Sequence, residues 1–198
     1  MPIHRFLAAV GLLAMFNQPL VAEPFHHPYG EWRDYSQDWL AICPDTIDES
    51  ASTYYGFSCF ASTGSTALNA ANLPAYKLTL LLNRLTGALD IAITDASTDG
   101  AEIDPVHSIS IGFNGAPTVT LNLAADLETR YNTVNQYFVV NDQLREDLLA
   151  SMKARTAMTV TLPIIGAESD SRTIRFSLRG VTASLDFMAS YARKLAQY

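Results

Sequence analysis

Apolar residues recur at every second position through most of this chain, and that period leaves paired strands as the structure it can build. His107, Ile109, Ile111 and Phe113 alternate with Ser108, Ser110 and Gly112, and Val119, Leu121 and Leu123 alternate with Thr118, Thr120 and Asn122. Between them stands Asn114-Gly115, the strongest two-residue hairpin signal, because both positions accept positive φ. Residues 76–84 read as a strand, Thr86-Gly87 as a turn, and Leu89, Ile91 and Ile93 as the buried face of the returning strand. Residues 38–43 and 54–60 read as strands flanking the polar loop 44–52, and 137–140 as a further short strand. Met158, Val160 and Leu162, a turn at 166–171, and then Ile174, Phe176 and Leu178 repeat the pattern. Tight turns join consecutive strands, whereas parallel pairing needs long crossover connections, so the strands are expected to be antiparallel.

The back third changes period. Leu144, Leu148, Leu149 and Met152 fall on one side of a helix, opposite Arg145, Glu146 and Lys153, and Asn141 or Asp142 can cap it. After Gly180, the residues Val181, Leu185, Met188, Ala192 and Leu195 mark a second amphipathic helix. The expectation is a mainly β, antiparallel sandwich with two amphipathic helices in its C-terminal third.

The chain's opening bears on its compartment. His4 and Arg5 precede an unbroken apolar run at 6–16, Asn17-Gln18-Pro19 interrupts it, and Ala22 offers a small residue for cleavage. This reads as a signal peptide over 1–22, too short for a spanning helix of roughly 20 apolar residues. Residues 23–198 are then expected to form one sandwich domain, with the Pro- and His-rich stretch 23–31 as a flexible arm. No later segment reads as membrane-spanning. The chain holds 13 Lys and Arg against 20 Asp and Glu, a net charge of −7. Removing the leader takes Arg5 and no acidic residue, leaving 12 against 20, or −8. An acidic surface repels phosphate backbones and anionic head groups, which argues against nucleic-acid and membrane-surface partners. Cys43 and Cys59 are the only two cysteines. In an oxidising compartment such a pair is most simply a disulfide, worth about 3 kcal/mol by loop closure.

Signals for chemistry are sparse. His26-His27 near a new N-terminus could hold copper or zinc, or belong to a polar arm with no third ligand. His107, on the apolar side of a strand, reads as a histidine at the edge of the core. Asp95, Ser97, Asp99 and Gly100 occupy positions 1, 3, 5 and 6 of a calcium loop, but position 12 is Val106 and the flanks read as strands. These residues are metal candidates against a reading as a solvated loop; no cofactor is expected. Gly64-Ser65-Thr66 lacks the nucleophile-elbow pattern, and phosphate-loop signatures are absent. Aromatics crowd the front instead: Tyr29, Trp32, Tyr35, Trp39, Tyr54, Tyr55, Phe57 and Phe60. Trp39 and Phe57 are expected in the core, while Tyr29, Trp32 and Tyr35 are candidate anchors for a partner.

Two stretches resemble the invasion-associated locus B family. One is Tyr29-Gly30-Glu31-Trp32 with Asp38-Trp39-Leu40-Ala41-Ile42-Cys43 and then Cys59-Phe60; the other is Phe176-Ser177-Leu178-Arg179-Gly180-Val181-Thr182-Ala183-Ser184-Leu185. The resemblance implies an exported bacterial β-sandwich without known catalytic residues, linked in some members to host-cell invasion. The family commonly carries a second cysteine pair, absent here from 122–137, and an aromatic where Val181 stands. It transfers no functional residue. The expected function is a periplasmic or secreted, non-enzymatic binding module that meets a protein or envelope component by surface contact. The alternatives are a hydrolase of an envelope polymer and a calcium-stabilised module.

Overall fold

Each period-two run finds its partner in an antiparallel ladder, and the ladders assemble into two sheets. The computed structural model describes residues 23–99, 102–130, 135–165 and 171–195, so the signal peptide expected at 1–22 and all but the last residue of the turn expected at 166–171 lie outside the described residues. In chain order the elements are β1 (Phe25–His27), β2 (Glu31–Ser36), β3 (Trp39–Pro44), a 3-10 turn at Tyr54–Gly56, β4 (Ser58–Gly64), β5 (Tyr76–Asn83) and β6 (Leu89–Asp95). Then follow β7 (Glu102–Ile103), β8 (Ser108–Phe113), β9 (Val119–Asn122), a single-turn α1 (Leu123–Asp126), β10 (Leu127–Thr129) and β11 (Gln136–Val139). The chain closes with α2 (Asp142–Ala154), β12 (Ala157–Ile165), β13 (Ser171–Ser177) and α3 (Val181–Leu195). The larger sheet runs β1-β2-β3-β4-β5-β6-β11-β10, and the smaller runs β13-β12-β8-β9 with β7 paired to β12.

The inner faces meet in one core. Trp39, Tyr76, Leu78 and Leu80 of the large sheet bury against Ile109, Ile111, Met158, Val160 and Phe176 of the small one. Helix α3 lies over β2, β3 and β4. The residues beneath it are small (Ala41, Cys43, Cys59 and Ala61, none exposed), which lets helix and sheet approach closely. Gly180 starts that helix at φ +100, and a Cβ there would sit 1.8 Å from the Ser36 carbonyl oxygen. Only glycine fits this position. Asn141 caps α2, its side chain accepting the Leu144 N–H, and Leu148 and Met152 carry that helix into the core.

Four local expectations need correction. The stretch 23–31 is not a loose arm: Phe25, His26 and His27 pair with Arg33, Trp32 and Glu31 as an edge strand. An edge is where Pro24 and Pro28, which lack an N–H, can be placed without breaking a ladder. The β8–β9 connection is longer than a two-residue hairpin. Of Asn114 and Gly115 only the glycine has positive φ, Ala116 N–H closes the turn onto Phe113, and Pro117 cannot extend the ladder. Leu123 leaves the strand, because the Asn122 side chain accepts from Ala124 and Ala125 and caps α1. His107 precedes β8, is exposed, and bonds Asp104 at 2.8 Å. That contact holds the Asp104 carboxyl below its ordinary range, second to the bond it accepts from the Val106 N–H.

Candidate functional site: the outer face of the large sheet

Strand β5 contains Leu80-Leu81-Leu82, and an apolar run of this kind fits a strand covered on both faces. Leu80 faces the small sheet; Leu81 faces the other way and is nonetheless buried. Its cover is the loop between the two cysteines. Tyr54 and Phe57 from that loop pack with Leu81, Ala92 and Phe138, flanked by Ile47, Ala51 and Phe60.

Cys43 and Cys59 form the expected disulfide across neighbouring strands, their Cα atoms 4.2 Å apart. It closes the loop at its base. Arg84 holds the loop's first turn by donating from Nη1 to the Pro44 carbonyl at 2.6 Å. Burial pushes the Arg84 guanidinium below its ordinary pKa, against the opposing pull of Asp45. Inside the loop, Asp48 accepts from both the Ser50 hydroxyl (2.6 Å) and the Ser50 N–H (3.0 Å).

The loop covers only part of the face. Register places Ser62, Thr79, Ala92 and Phe138 in one cross-strand row and Gly64, Lys77, Thr94 and Gln136 in the next. Between these rows and the loop lies a groove of about 180 Å³, walled by Tyr54, Tyr55 and Phe60 and floored by Ser62, Thr79, Thr94 and Gln136. Tyr55 stands 53% exposed at its mouth, edge-on to Phe60 with ring centroids 5.1 Å apart. The buried Tyr54 hydroxyl donates to Tyr55 at 2.9 Å and accepts from Gln136 Nε2 at 3.3 Å. Gln136 Nε2 also reaches Thr94 Oγ1 at 3.1 Å. The wall is aromatic, the floor hydroxyl and amide, and Lys77 supplies a cation. Neither carboxylate nor imidazole is among the described lining residues.

The three predicted anchors do not share a surface. Trp32 and Tyr35 are three apart on β2, so they point to opposite faces. Trp32 points inward and packs on Tyr191 of α3, ring centroids 5.2 Å apart. Tyr35 points outward, 48% exposed, and stacks on Phe25 at 6.1 Å. Tyr29 is 82% exposed in the β1–β2 turn, against the His27 ring at 4.6 Å. Tyr35 pairs with Leu40 and Leu40 with Ser62, so Tyr35 lies on the groove's face two strands away. The outer face thus carries a strip running from Phe25 and Tyr35 across Leu40 to Phe60 and Tyr55. The split of Trp32 from Tyr35 shows only once 31–36 is a strand, and the groove is not legible locally, because its floor depends on the pairing of Thr94 with Gln136, far apart in the chain.

Of the metal candidates, the side chains of His26, Asp95 and Asp99 have partners, and Gly100 of the calcium-loop pattern lies outside the described residues. His26 bonds Asp45 Oδ2 at 2.6 Å. Asp95 accepts the Ser97 N–H at 2.8 Å, and Asp99 pairs with Arg172 at 2.7 Å. Among the described residues no three His, Cys, Asp or Glu side chains cluster as a metal site, and no helix is long and apolar enough to cross a membrane.

An antiparallel two-sheet sandwich, pinned by one disulfide and grooved on its free face, is the class of protein this architecture defines. Its fold is shared with invasion associated protein B from Bartonella henselae, whose crystal structure matches with a TM-score of 0.54 at 12% identity. The match covers 81% of this chain and 98% of that one. No protein-family model matches the sequence, and no curated protein does.

Proposed function

We propose that this chain is an exported, non-enzymatic binding module of the invasion-associated locus B type, and that the outer face of its large sheet docks an envelope or host protein. The observation that carries this reading is the strip of exposed Phe25, Tyr35 and Tyr55 with half-buried Phe60 between them, beside a groove with a polar floor. Aromatic side chains offer large contact area at low entropic cost, and the hydroxyls and amides alongside supply directional bonds. The disulfide and the leader-like opening support export, and the shared fold and the two resembling stretches support the family.

Position-specific photocrosslinking in the native cell tests it. A benzophenone side chain in place of Tyr35 or Tyr55 is expected to give the same discrete protein adduct, lost when the other tyrosine is changed to alanine. The same group in place of Val106, exposed but outside the strip, is expected to give none. Equal labelling from all three positions, or none from any, would remove the outer face as the docking surface.

A further inference from the structure

Strand β13 ends the small sheet, so one of its edges has no ladder partner, although β4 runs alongside part of it. The direction of its free backbone groups follows from the bonds at its end. Leu178 N–H donates to the Thr156 carbonyl on the β12 side, while the Ser177 carbonyl accepts from the Trp39 indole on the other side, at 3.0 Å. Backbone groups alternate along a strand. The N–H and C=O of Arg175 and Thr173 therefore point away from β12, into the open edge. Beside that edge lies a cleft of about 600 Å³, a size typical of ligand sites. Its far wall is the chain at Gly64, Ser65 and Thr66, and its near wall carries Arg175, Ser177 and Arg179.

The charge of this cleft is opposite to that of the molecule. Arg175 and Arg179 are both exposed, and neither pairs with a carboxylate among the described residues; Arg179 Nε donates to Gln37 at 3.1 Å. The one acidic lining residue, Asp38, accepts the Ser177 hydroxyl at 2.6 Å. Two guanidiniums against one carboxylate leave a local positive field on a chain whose net charge is −7.

We propose that the β13 edge accepts an extended acidic peptide segment as an added strand, its backbone paired with Thr173 and Arg175 and a carboxylate directly opposite Arg175. Main-chain bonds along an unpaired edge supply affinity, and the cross-strand charge pair selects the sequence. This surface is separate from the outer-face groove, so the two readings stand or fall independently.

The probe is a fluorescent seven-residue peptide of alternating threonine and valine with a central glutamate, compared with its central-lysine twin by anisotropy and amide NMR. The glutamate peptide is expected to bind at or below about 1 mM and at least about tenfold more tightly than the lysine twin. Its amide shifts should fall at 64–66 and 173–177. Arg175→Glu is expected to reverse the preference. Thr173→Pro removes an N–H that the β12 ladder does not use, so it should abolish binding while the melting temperature holds. Should that variant unfold, the glutamate peptide N-methylated at its central amide, used on the unaltered protein, is expected to lose at least about tenfold in affinity. Absence of binding, affinity indifferent to N-methylation, or equal competition by sulfate, which would mark a plain anion site, would each overturn the proposal.

Discussion

The two faces of the large sheet are covered by different means. The inner face is sealed by a second sheet and two helices, elements that carry their own backbone hydrogen bonds, and its contacts link segments over the whole chain. The outer face is covered by the loop between Cys43 and Cys59, with little regular structure beyond one 3-10 turn, so its cover depends on a disulfide, Arg84 and the Asp48 turn. The inner arrangement yields a closed core. The outer one buries Leu81, Ala92 and Phe138 yet stops short of Ser62 and Thr94, and the unfinished cover becomes a groove.

The sharpest way to break this contrast is to delete one ring from each face. Phe176→Ala, at a fully buried inner position, is expected to cost about 3–5 kcal/mol in urea denaturation. Phe57→Ala should cost less, about 2 kcal/mol, because the loop can settle onto the sheet and shrink the cavity. Equal losses would mean that the loop is as much a part of the core as the second sheet. Next in size, replacing both cysteines with alanine is expected to cost about 3 kcal/mol, with hydrogen exchange accelerating at 47–57 and protection of β8 and β12 preserved below the unfolding transition. Loss of protection in β12 to the same degree would contradict a locally acting bridge.

Strand β2 lets the faces be compared within one element. Trp32→Ala should lower stability by about 2 kcal/mol by uncovering Tyr191, whereas Tyr35→Ala should stay within about 0.5 kcal/mol, as surface substitutions do. The smallest effect concerns pH. Asp48's carboxyl is held below its ordinary value by the Ser50 hydroxyl and then the Ser50 N–H. A depressed folded pKa stabilises above the unfolded value, near 3.9, and that support fades as pH falls through the folded one. Asp48→Asn should therefore melt slightly below the parent protein at neutral pH, and the two curves should converge in acid. A gap that stays constant across that range would assign the difference to loop packing instead of charge.

Much of the framework follows from local pattern. The alternations at 109–113 and 158–162 place Ile109, Ile111, Met158 and Val160 inside before any partner is known, and Asn141 ahead of an amphipathic run marks the start of α2. The split between Trp32 and Tyr35 is also implied by their spacing once 31–36 is taken as a strand. The cover of Leu81 is not readable in this way. Tyr54 sits in a segment that resembles a strand by composition, but a 3-10 turn forms there and points its ring back onto the sheet. Residues 23–31 look like an arm because two prolines and two histidines flank a single apolar residue; only pairing with β2 makes them a strand.

Period, spacing and the two sulfurs by themselves determined that this chain builds antiparallel sheets, finishes on amphipathic helices and pins one loop. Those are properties of neighbours along the chain, where a side chain's direction follows from its position modulo two or 3.6. Tertiary structure alone decided which strands become edges, which aromatics are shielded and where the cover of the large sheet runs out. Those outcomes depend on pairings such as Thr94 with Gln136 and on the docking of α3 against Trp32, contacts between segments that no local pattern relates.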